Sequence, residues 1–162
     1  MKRIAILGMP NTGKSTFFNR LTGSSSRVGN WPGVTVELLS ARTILGSEAV
    51  EVVDLPGIYD LHGFSDDEQV VRSFLENNAV DQVVMILNAA QLDHQLPLAL
   101  QIHKLGMKPV LLANMIDEAE QLGIRINARE LSKSLDSPVI LMSARNGTGL
   151  KEVRETLIDR LQ

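Results

Sequence analysis

The hydrophobic positions form short continuous runs, and the segments between them have polar and apolar residues at helical spacing. Such runs of four or five apolar residues are typical of parallel strands, which are buried on both faces. The runs that we predict as strands are Ile4 to Leu7, Val50 to Val53, Val83 to Leu87, Val110 to Ala113 and Val139 to Met142. Their alternation with helices predicts a doubly wound α/β sheet with helices on both faces.

The segments between these runs carry start and stop signals for helices. Ser65 is followed three residues later by Glu68, and Asn127 is followed in the same way by Glu130. This spacing is typical of a helix N-terminus, where the first side chain caps the backbone. Residues 150–161 repeat apolar positions at helical spacing. Three glycines are candidate helix ends: Gly23, Gly106 and Gly123.

One pair of strands is predicted to be a hairpin rather than a parallel pair. Val34 to Ile44 and Ala49 to Val53 are joined by residues 45–48, which places one antiparallel strand at the edge of the sheet. The whole sheet is then mostly parallel and six-stranded. Gly23 to Gly33 shows no periodicity, and we interpret it as a long functional loop.

Size and composition indicate one domain, residues 1–162, because 44% hydrophobic residues can bury a single sizeable core. The net charge of −3, with scattered Lys and Arg, disfavours nucleic-acid binding. The chain has no cysteine, which excludes disulfides, thiolate zinc sites and iron–sulfur ligation. The first apolar run stops at Gly8, too early for a signal peptide, and no run approaches a membrane span. We therefore expect this chain to be soluble.

The clearest motif is a phosphate loop between the first predicted strand and the first predicted helix. Residues 8–15 read Gly-Met-Pro-Asn-Thr-Gly-Lys-Ser, which fits G-x-x-x-x-G-K-[ST] in the required strand-to-helix context. Backbone N–H groups and the helix dipole bind phosphates in such loops, and Lys14 is expected to reach the β- and γ-phosphates. The predicted phosphate-binding residues are Gly8, Pro10, Asn11, Thr12, Gly13, Lys14, Ser15 and Thr16. The alternative is a glycine-rich turn with a surface lysine.

A second motif predicts a magnesium site. Asp54 ends a predicted strand and opens Asp-Leu-Pro-Gly, at the edge of the sheet where ligands of such folds bind. We expect Ser15 to hold Mg²⁺ directly and Asp54 to hold it through water, while the backbone N–H of Gly57 contacts the γ-phosphate. Taken alone, Asp-x-Pro-Gly is also typical of an ordinary turn.

Two further motifs predict guanine as the base. In Asn114-Met115-Ile116-Asp117, the Asp117 carboxylate can accept from both N1–H and the 2-amino group of guanine, and adenine lacks this pair of donors. A dedicated polar site of this kind discriminates by about 10⁴ or more. Met115 is expected to pack on the base. Asp117 could instead be a helix N-cap. The last predicted strand is followed by three residues that we expect to contact the guanine oxygen: Ser143, Ala144 and Arg145.

The wider pattern resembles the cytosolic G domain of FeoB, a family of bacterial ferrous-iron transporters. Residues 27–37, Arg-Val-Gly-Asn-Trp-Pro-Gly-Val-Thr-Val-Glu, are similar to the first switch region of that family. Residues 52–57 and 114–119 add agreement, and the resemblance covers nearly the whole chain. Met9 departs from the family's loop, where Asn is usual, and residues 58–60 depart from its usual continuation.

The resemblance implies a Ras-like G domain whose cofactors are GTP or GDP and Mg²⁺. Thr35 is then the switch threonine that binds Mg²⁺ and contacts the γ-phosphate, although its β-branched side chain could equally start an edge strand. The implied partner is a transmembrane iron permease at the cytoplasmic face of the bacterial inner membrane. That region is absent from this sequence, which is either an excised domain or a solitary relative.

The resemblance also implies a way to supply positive charge during hydrolysis. The position of the water-orienting glutamine of Ras-like proteins holds Ile58, which cannot make a side-chain hydrogen bond. Asn11 is a candidate ligand for K⁺, as in potassium-activated GTPases, and its alternative is to cap a turn. The predicted catalytic residues are Lys14, Thr35, Gly57 and Asn11.

Two other functions stay open. A GTPase for ribosome or tRNA maturation shares Pro10-Asn11 and the base motifs, but it would usually carry an RNA-binding module. The second is a nucleotide-responsive module that barely hydrolyses GTP, and it stays open because Ile58 occupies the position of the water-orienting glutamine. The acidic residues 66–68 are predicted to be the first turn of a helix rather than an iron site. The three histidines, which lack metal-ligand spacing, are expected to be solvated: His62, His94 and His103.

Overall fold

Strands and helices alternate along residues 1–23 and 25–162, which a computed structural model of the protein describes. The strands are β1 (Lys2–Gly8), β2 (Ser26–Gly29), β3 (Leu38–Leu45), β4 (Glu48–Asp54), β5 (Gln82–Asn88), β6 (Val110–Asn114) and β7 (Val139–Leu141). The helices are α1 (Lys14–Thr22), α2 (Asp66–Asn77), α3 (Leu92–Lys104), α4 (Ile116–Gln121), α5 (Ala128–Leu135) and α6 (Leu150–Leu161). A short 3₁₀ turn, Ala89–Gln91, precedes α3.

The strands form one sheet in the order β2-β3-β4-β1-β5-β6-β7. Five neighbouring strands, from β4 to β7, are parallel, and β3 runs antiparallel to both β2 and β4. The predicted doubly wound, mostly parallel fold is therefore confirmed. Because β1 lies between β4 and β5, the order of the sheet reverses at β1, and ligands of such sheets bind at the carboxyl ends of the strands there.

Two details of the predicted sheet are wrong. The described chain has seven strands rather than six, because Ser26–Gly29 pairs with β3 inside the segment that was predicted to be a loop. Ser24, also part of that predicted loop, lies outside the described residues. The antiparallel strand β3 is second from the edge, and it begins at Leu38 rather than Val34. The edge strand β2 escapes prediction because three of its four residues are exposed, so it has no hydrophobic pattern.

The sheet has a hydrophobic core on each face, as the uninterrupted apolar strands require. On one face α1 and α6 pack through Phe17, Phe18 and Leu157. On the other face α2 and α3 pack through Phe74 and Ile102. All five of these side chains are fully buried. Helices therefore cover both faces of the sheet.

The helix boundaries follow the capping signals in the sequence. The Ser65 hydroxyl accepts from the Glu68 backbone N–H at 3.3 Å, and the Glu68 side chain returns to Ser65, which completes a capping box. Asn127 accepts from the Glu130 N–H at 3.1 Å in the same way at the start of α5. The three predicted glycine ends are confirmed, since Gly23, Gly106 and Gly123 adopt positive φ angles just after α1, α3 and α4.

Within residues 1–23 and 25–162, the longest helix has 13 residues, and none combines the length and the apolar character needed to cross a membrane.

Candidate nucleotide site

The phosphate loop connects the buried end of β1 to the first turn of α1. Gly8 must lack a side chain, since a Cβ there would lie 2.7 Å from the carbonyl oxygen of Ile86 on β5. Gly13 has φ +88°, and a Cβ there would collide with the Asn114 amide. Between these glycines, the Thr12 hydroxyl donates to the Met9 carbonyl at 2.9 Å. The backbone of the loop is therefore fixed by close packing on two neighbouring strands.

Lys14 and Asp54 meet at the centre of the site. The Lys14 ammonium donates to Asp54 Oδ1 at 2.6 Å and to the Leu55 carbonyl oxygen at 2.6 Å. Both charged side chains are mostly buried, with 13% and 12% of their surface exposed. The cation of the phosphate loop and the carboxylate of the predicted magnesium site thus lie within one ion pair.

A cleft of about 360 Å³ opens beside this ion pair. Seven of its lining residues belong to the predicted site: Pro10, Asn11, Gly13, Lys14, Ser15, Thr16 and Gly57. The eighth is Asp67 in the first turn of α2, which the sequence placed only in a helix start. The helix N-cap signal at Ser65 located Asp67 along the chain but could not indicate that α2 begins next to the phosphate loop.

Ile58 faces away from the cleft. Its side chain is 1% exposed and packs in the core beneath α2 and α3, while its backbone N–H donates to the Gly8 carbonyl at 3.0 Å. The neighbouring Gly57 fits tightly against the phosphate loop, since a Cβ there would lie 2.9 Å from the Pro10 nitrogen. This packing places the Gly57 backbone beside the loop and buries the Ile58 side chain away from the cleft.

Thr35 lies apart from the other predicted magnesium ligands. It lines a separate cavity of about 320 Å³ between the first switch segment and α2, whose other walls include Asp66 and Ser73. Thr35 is exposed and precedes β3, so it does not start a strand. Ser15 lines the cleft with Lys14, which pairs with Asp54, whereas Thr35 lies against α2. Its role as a magnesium ligand stays a prediction that requires the segment to move.

Trp31 anchors that segment to the body of the domain. Its ring meets Phe74 of α2 edge-on, with centroids 5.2 Å apart. The Arg3 guanidinium lies 4.8 Å above the same ring. One residue on, the Pro32 carbonyl accepts from the Asn78 amide at 3.1 Å. These contacts hold residues 31–32 at the carboxyl end of α2. A movement that brings Thr35 to the magnesium site must therefore occur in the residues after Pro32.

Asn114 is a buried link between three motifs. Its amide nitrogen donates to the Thr12 carbonyl of the phosphate loop at 2.8 Å. Its side-chain oxygen accepts from the Ala144 backbone N–H at 2.9 Å. Only 3% of Asn114 is exposed, so neither bond is shared with solvent. The sequence predicted Asn114 as part of the base site, and the structure adds that it ties that site to the phosphate loop.

Asp117 lies in the first turn of α4 rather than at its cap. The N-cap is Met115, which has φ +63° and whose terminal methyl lies beside Gly13. The alternative interpretation of Asp117 as an N-cap is therefore wrong. Its carboxylate is half-buried and accepts from the Asn146 amide at 3.3 Å. Asn146 was absent from the predicted site, because nothing in its local sequence indicates that it faces Asp117.

The loop after β7 is held by its own backbone. The Ser143 N–H donates to the Thr148 carbonyl at 3.0 Å, and the Ser143 hydroxyl accepts from the Asn146 N–H at 3.2 Å. Ala144 is buried, whereas the Arg145 side chain is exposed and its carbonyl accepts from Arg20 at 2.6 Å. This places the backbone of residues 143–145 next to the base motif.

Residues 58–64, which follow Gly57 and which we call the second switch segment, are bound to α3 through Asp60. The Asp60 carboxylate accepts from the His62 backbone N–H at 2.9 Å and from the Gln101 amide at 2.8 Å. The bond from the His62 N–H is the larger cause, and the bond from Gln101 the second, that lowers the pKa of Asp60 below its ordinary value. In the same segment, Tyr59 and Phe64 are 66% and 90% exposed. The segment therefore keeps a fixed turn and presents two aromatic rings to solvent.

The histidines and acidic residues do not gather into a metal centre. Among residues 1–23 and 25–162, no group of three His, Asp or Glu side chains is placed to hold a metal ion. His62 and His94 are exposed, as predicted. His103 is not, since it is half-buried and bonded to the Ser137 hydroxyl at 2.6 Å. Asp66, with its two acidic neighbours, forms the predicted first turn of α2.

Comparison with known proteins agrees with this geometry. The family model for ferrous iron transport protein B matches residues 2–157. The Fe(2+) transporter FeoB of Synechocystis is 49% identical over 156 residues, which cover 96% of this chain and 25% of that protein. The Campylobacter jejuni protein of the same name is 38% identical with the same coverage. The chain thus spans about a quarter of the length of these relatives.

Solved structures give the same result. The G domain of the T. maritima FeoB iron transporter superimposes with a TM-score of 0.89 at 36% identity, over 100% of this chain and 99% of that one. The cytosolic domain of the same transporter in a GDP form gives a TM-score of 0.93 at 36% identity, over 100% of this chain and 64% of that one. The resemblance that the motifs indicated is confirmed. With its phosphate loop, its Asp-Leu-Pro-Gly turn and its G-domain fold, the chain belongs to the ferrous iron transport protein B family.

Proposed function

We propose that this chain is a switch domain that binds GTP and hydrolyses it slowly with Mg²⁺, and that it regulates or drives ferrous iron uptake through a membrane permease portion. The observation that carries the proposal is the Asn114 link, which joins the phosphate loop to the base motif in one site. A guanine nucleotide is the ligand that such a pair of motifs fits. Structures of relatives in GDP and GMPPNP forms support the same ligand.

The chemistry of the site suits a magnesium-bound phosphate. Ser15 at the start of α1 and Asp54 at the end of β4 supply the hydroxyl and carboxylate oxygens that Mg²⁺ prefers. When bound, Mg²⁺ would neutralise charge on the phosphates. Lys14, which is paired with Asp54 in this structure, would turn to the phosphate oxygens. The Lys14–Asp54 ion pair would then be replaced by a pair of Lys14 with phosphate and a pair of Asp54 with Mg²⁺.

Guanine selection is assigned to Asp117. Its half-buried carboxylate is next to the loop at 143–145, whose backbone would contact the guanine oxygen. The terminal methyl of Met115 lies beside Gly13 of the phosphate loop, and this side chain is assigned as the apolar surface on which the base packs. The two carboxylate oxygens can accept from both donors on the Watson–Crick edge of guanine, and adenine cannot satisfy them.

Hydrolysis must proceed without a glutamine, because Ile58 is in the core. We propose that Asn11 holds K⁺ against the phosphates and that Lys14, Thr35 and the Gly57 backbone complete the catalytic set. Asn11 is exposed at the rim of the cleft and has φ +63°, and no hydrogen bond of its side chain occurs within the described chain. In GTPases that use an arginine finger, the corresponding charge increases the rate by about 10³ to 10⁵.

The partner is proposed to be the permease portion of the same protein at the cytoplasmic face of the bacterial inner membrane. The relatives are named Fe(2+) transporters, and this chain matches about a quarter of their length. Exposed Tyr59 and Phe64 in the second switch segment support a contact surface beside the nucleotide. The net charge of −3 disfavours nucleic acid as the partner.

The test is GTP hydrolysis by the purified chain with Mg²⁺ in matched K⁺ and Na⁺ buffers, with ATP as the control substrate. We expect GTP turnover that K⁺ accelerates and that Asn11→Ala reduces about tenfold or more, with GDP affinity retained. The matched control is Asn127→Ala, an asparagine that caps α5 and should leave turnover unchanged. Tight ATP binding would refute the role of Asp117.

A second candidate function is a nucleotide-responsive module that barely hydrolyses GTP, and the burial of Ile58 favours it. The same experiment separates the two. Negligible turnover in both buffers with tight GTP and GDP binding would favour the module and contradict the K⁺ mechanism. Turnover that depends on K⁺ would exclude the module that barely hydrolyses GTP.

A further inference from the structure

Asn146 contacts the residue to which guanine selection is assigned. Its amide nitrogen donates to Asp117 Oδ2 at 3.3 Å, across 29 residues of sequence. The Asn146 backbone is itself fixed, since its N–H donates to the Ser143 hydroxyl at 3.2 Å and the next N–H, of Gly147, donates to the Ser143 carbonyl at 2.8 Å. The amide donor therefore comes from an anchored turn rather than from a free side chain.

The Asp117 carboxylate needs such a partner because of its position. It lies in the first turn of α4, half-buried, and its terminal torsion is soft. To accept from two parallel donors on one base, both carboxylate oxygens must lie in the plane of that base. A donor on one side of Oδ2 fixes the torsion and leaves the other lone pairs of the carboxylate free.

We propose that Asn146 is a positioning residue for guanine specificity, which orients the Asp117 carboxylate for two-point pairing with the base. The inference rests on the proposed function, because it requires Asp117 to accept from guanine. Asn146 does not touch the nucleotide in this role. It acts through Asp117, and its effect should depend on how many donors the base offers.

Inosine diphosphate provides the discriminating ligand. Hypoxanthine keeps the N1–H donor and the 6-oxo group of guanine but lacks the 2-amino group. A rotated Asp117 carboxylate can still accept from one donor but not from two. Loss of Asn146 should therefore weaken GDP binding more than IDP binding, whereas general loosening of the loop at 143–148 would weaken both equally, since both bases share the oxygen that this loop contacts.

The experiment measures the affinities of GDP, IDP and ADP for the whole 162-residue chain, for Asn146→Ala and for Asn146→Leu, which is close to asparagine in size, carries no charge and cannot donate. We expect the ratio of IDP to GDP dissociation constants to fall about three- to tenfold in both variants, the loss expected for one hydrogen bond. The IDP constant should change less than about twofold. The Asn127→Ala variant should keep the wild-type ratio.

Two results would overturn the inference, and they are distinguishable. If the wild-type chain prefers GDP to IDP and ADP but the ratio is unchanged in both variants, or GDP and IDP weaken equally, Asn146 does not position Asp117 and the proposed base readout stands. If the wild-type chain shows no preference for GDP, the proposed role of Asp117 fails together with that of Asn146. Asn146 is exposed, so neither substitution removes a buried contact.

Discussion

Replacing Asn114 by alanine should damage both the fold and the nucleotide site, because one buried side chain serves both. The substitution removes the bonds to the Thr12 carbonyl and the Ala144 N–H, at 2.8 and 2.9 Å. Each buried hydrogen bond contributes about 1 kcal/mol, and each backbone group left without a partner adds a desolvation cost of the same order. We therefore expect the free energy of unfolding to fall by about 2–4 kcal/mol.

The size of the domain converts this loss into a melting temperature. An unfolding entropy of about 2 cal/mol/K per residue means that 1 kcal/mol shifts the midpoint of a 162-residue domain by about 3 °C. Asn114→Ala should thus melt about 6–12 °C lower. Nucleotide affinity should fall further than stability predicts, because the phosphate loop and the Ala144 loop lose the side chain that holds them together.

Thermal unfolding by circular dichroism and GDP affinity by calorimetry test this reasoning. The control is Asn127→Ala, in which a cap rather than a buried link is lost, and the expected cost is about 1 kcal/mol with normal GDP binding. Asn114→Asp keeps the acceptor for Ala144 but places an oxygen against the Thr12 carbonyl, so it should not rescue the loop. A drop below about 1 kcal/mol in Asn114→Ala, or full GDP affinity, would contradict the assigned role.

Three further perturbations address the ion pair, the core and the switch segments. Asp54→Asn should lower Mg²⁺-dependent GTP hydrolysis about tenfold or more, because it removes the carboxylate of the proposed metal site. Steady-state turnover measures this effect, and unchanged activity would exclude Asp54 from the site. Ile58→Gln should lower the free energy of unfolding, measured by urea denaturation, by about 1–3 kcal/mol, because the new amide enters the core. GTP turnover should be no faster than in the wild type. Faster turnover would show that position 58 reaches the nucleotide. Asp60→Asn should loosen the second switch segment at neutral pH. Because the folded pKa of Asp60 is lowered, its contribution to stability is present above the ordinary value of 3.8 and is lost as pH falls below it. The difference in stability between wild type and Asp60→Asn should therefore shrink in acid, and a difference that grows would refute the assignment.

The predictable part of the molecule is the part whose signal is local. Strands β1 and β5 were found because burial on both faces requires uninterrupted apolar residues. Helix starts were found at Ser65 and Asn127, since a cap is a contact between residues three apart. Strand β2 was missed because its exposed residues pack on neither core, and pairing through backbone atoms leaves no trace in the side-chain pattern.

The candidate site divides in the same way. The phosphate loop and Asp54 were located by motif and by position after a strand. Asp67 and Asn146 were not, because each reaches the site from another part of the chain and no short-range pattern records that approach. For Thr35 the resemblance predicts a contact with Mg²⁺, whereas in the structure Thr35 lines a cavity against α2.

The two halves of the site are held with different rigidity, and this difference supports a switch. The base half is fixed by Asn114, which is buried and hydrogen-bonded to one loop through its amide nitrogen and to another through its amide oxygen. The phosphate half is closed by the Lys14–Asp54 pair, which a phosphate can exchange, and by a first switch segment that is anchored at Trp31 and Pro32 and exposed from Thr35 to Glu37. Segments with few buried contacts open at the lowest free-energy cost. Exchange of GTP for GDP should therefore move residues 33–37 while the base half keeps its geometry, so that the identity of the base and the state of the phosphates are read by separate parts of one site.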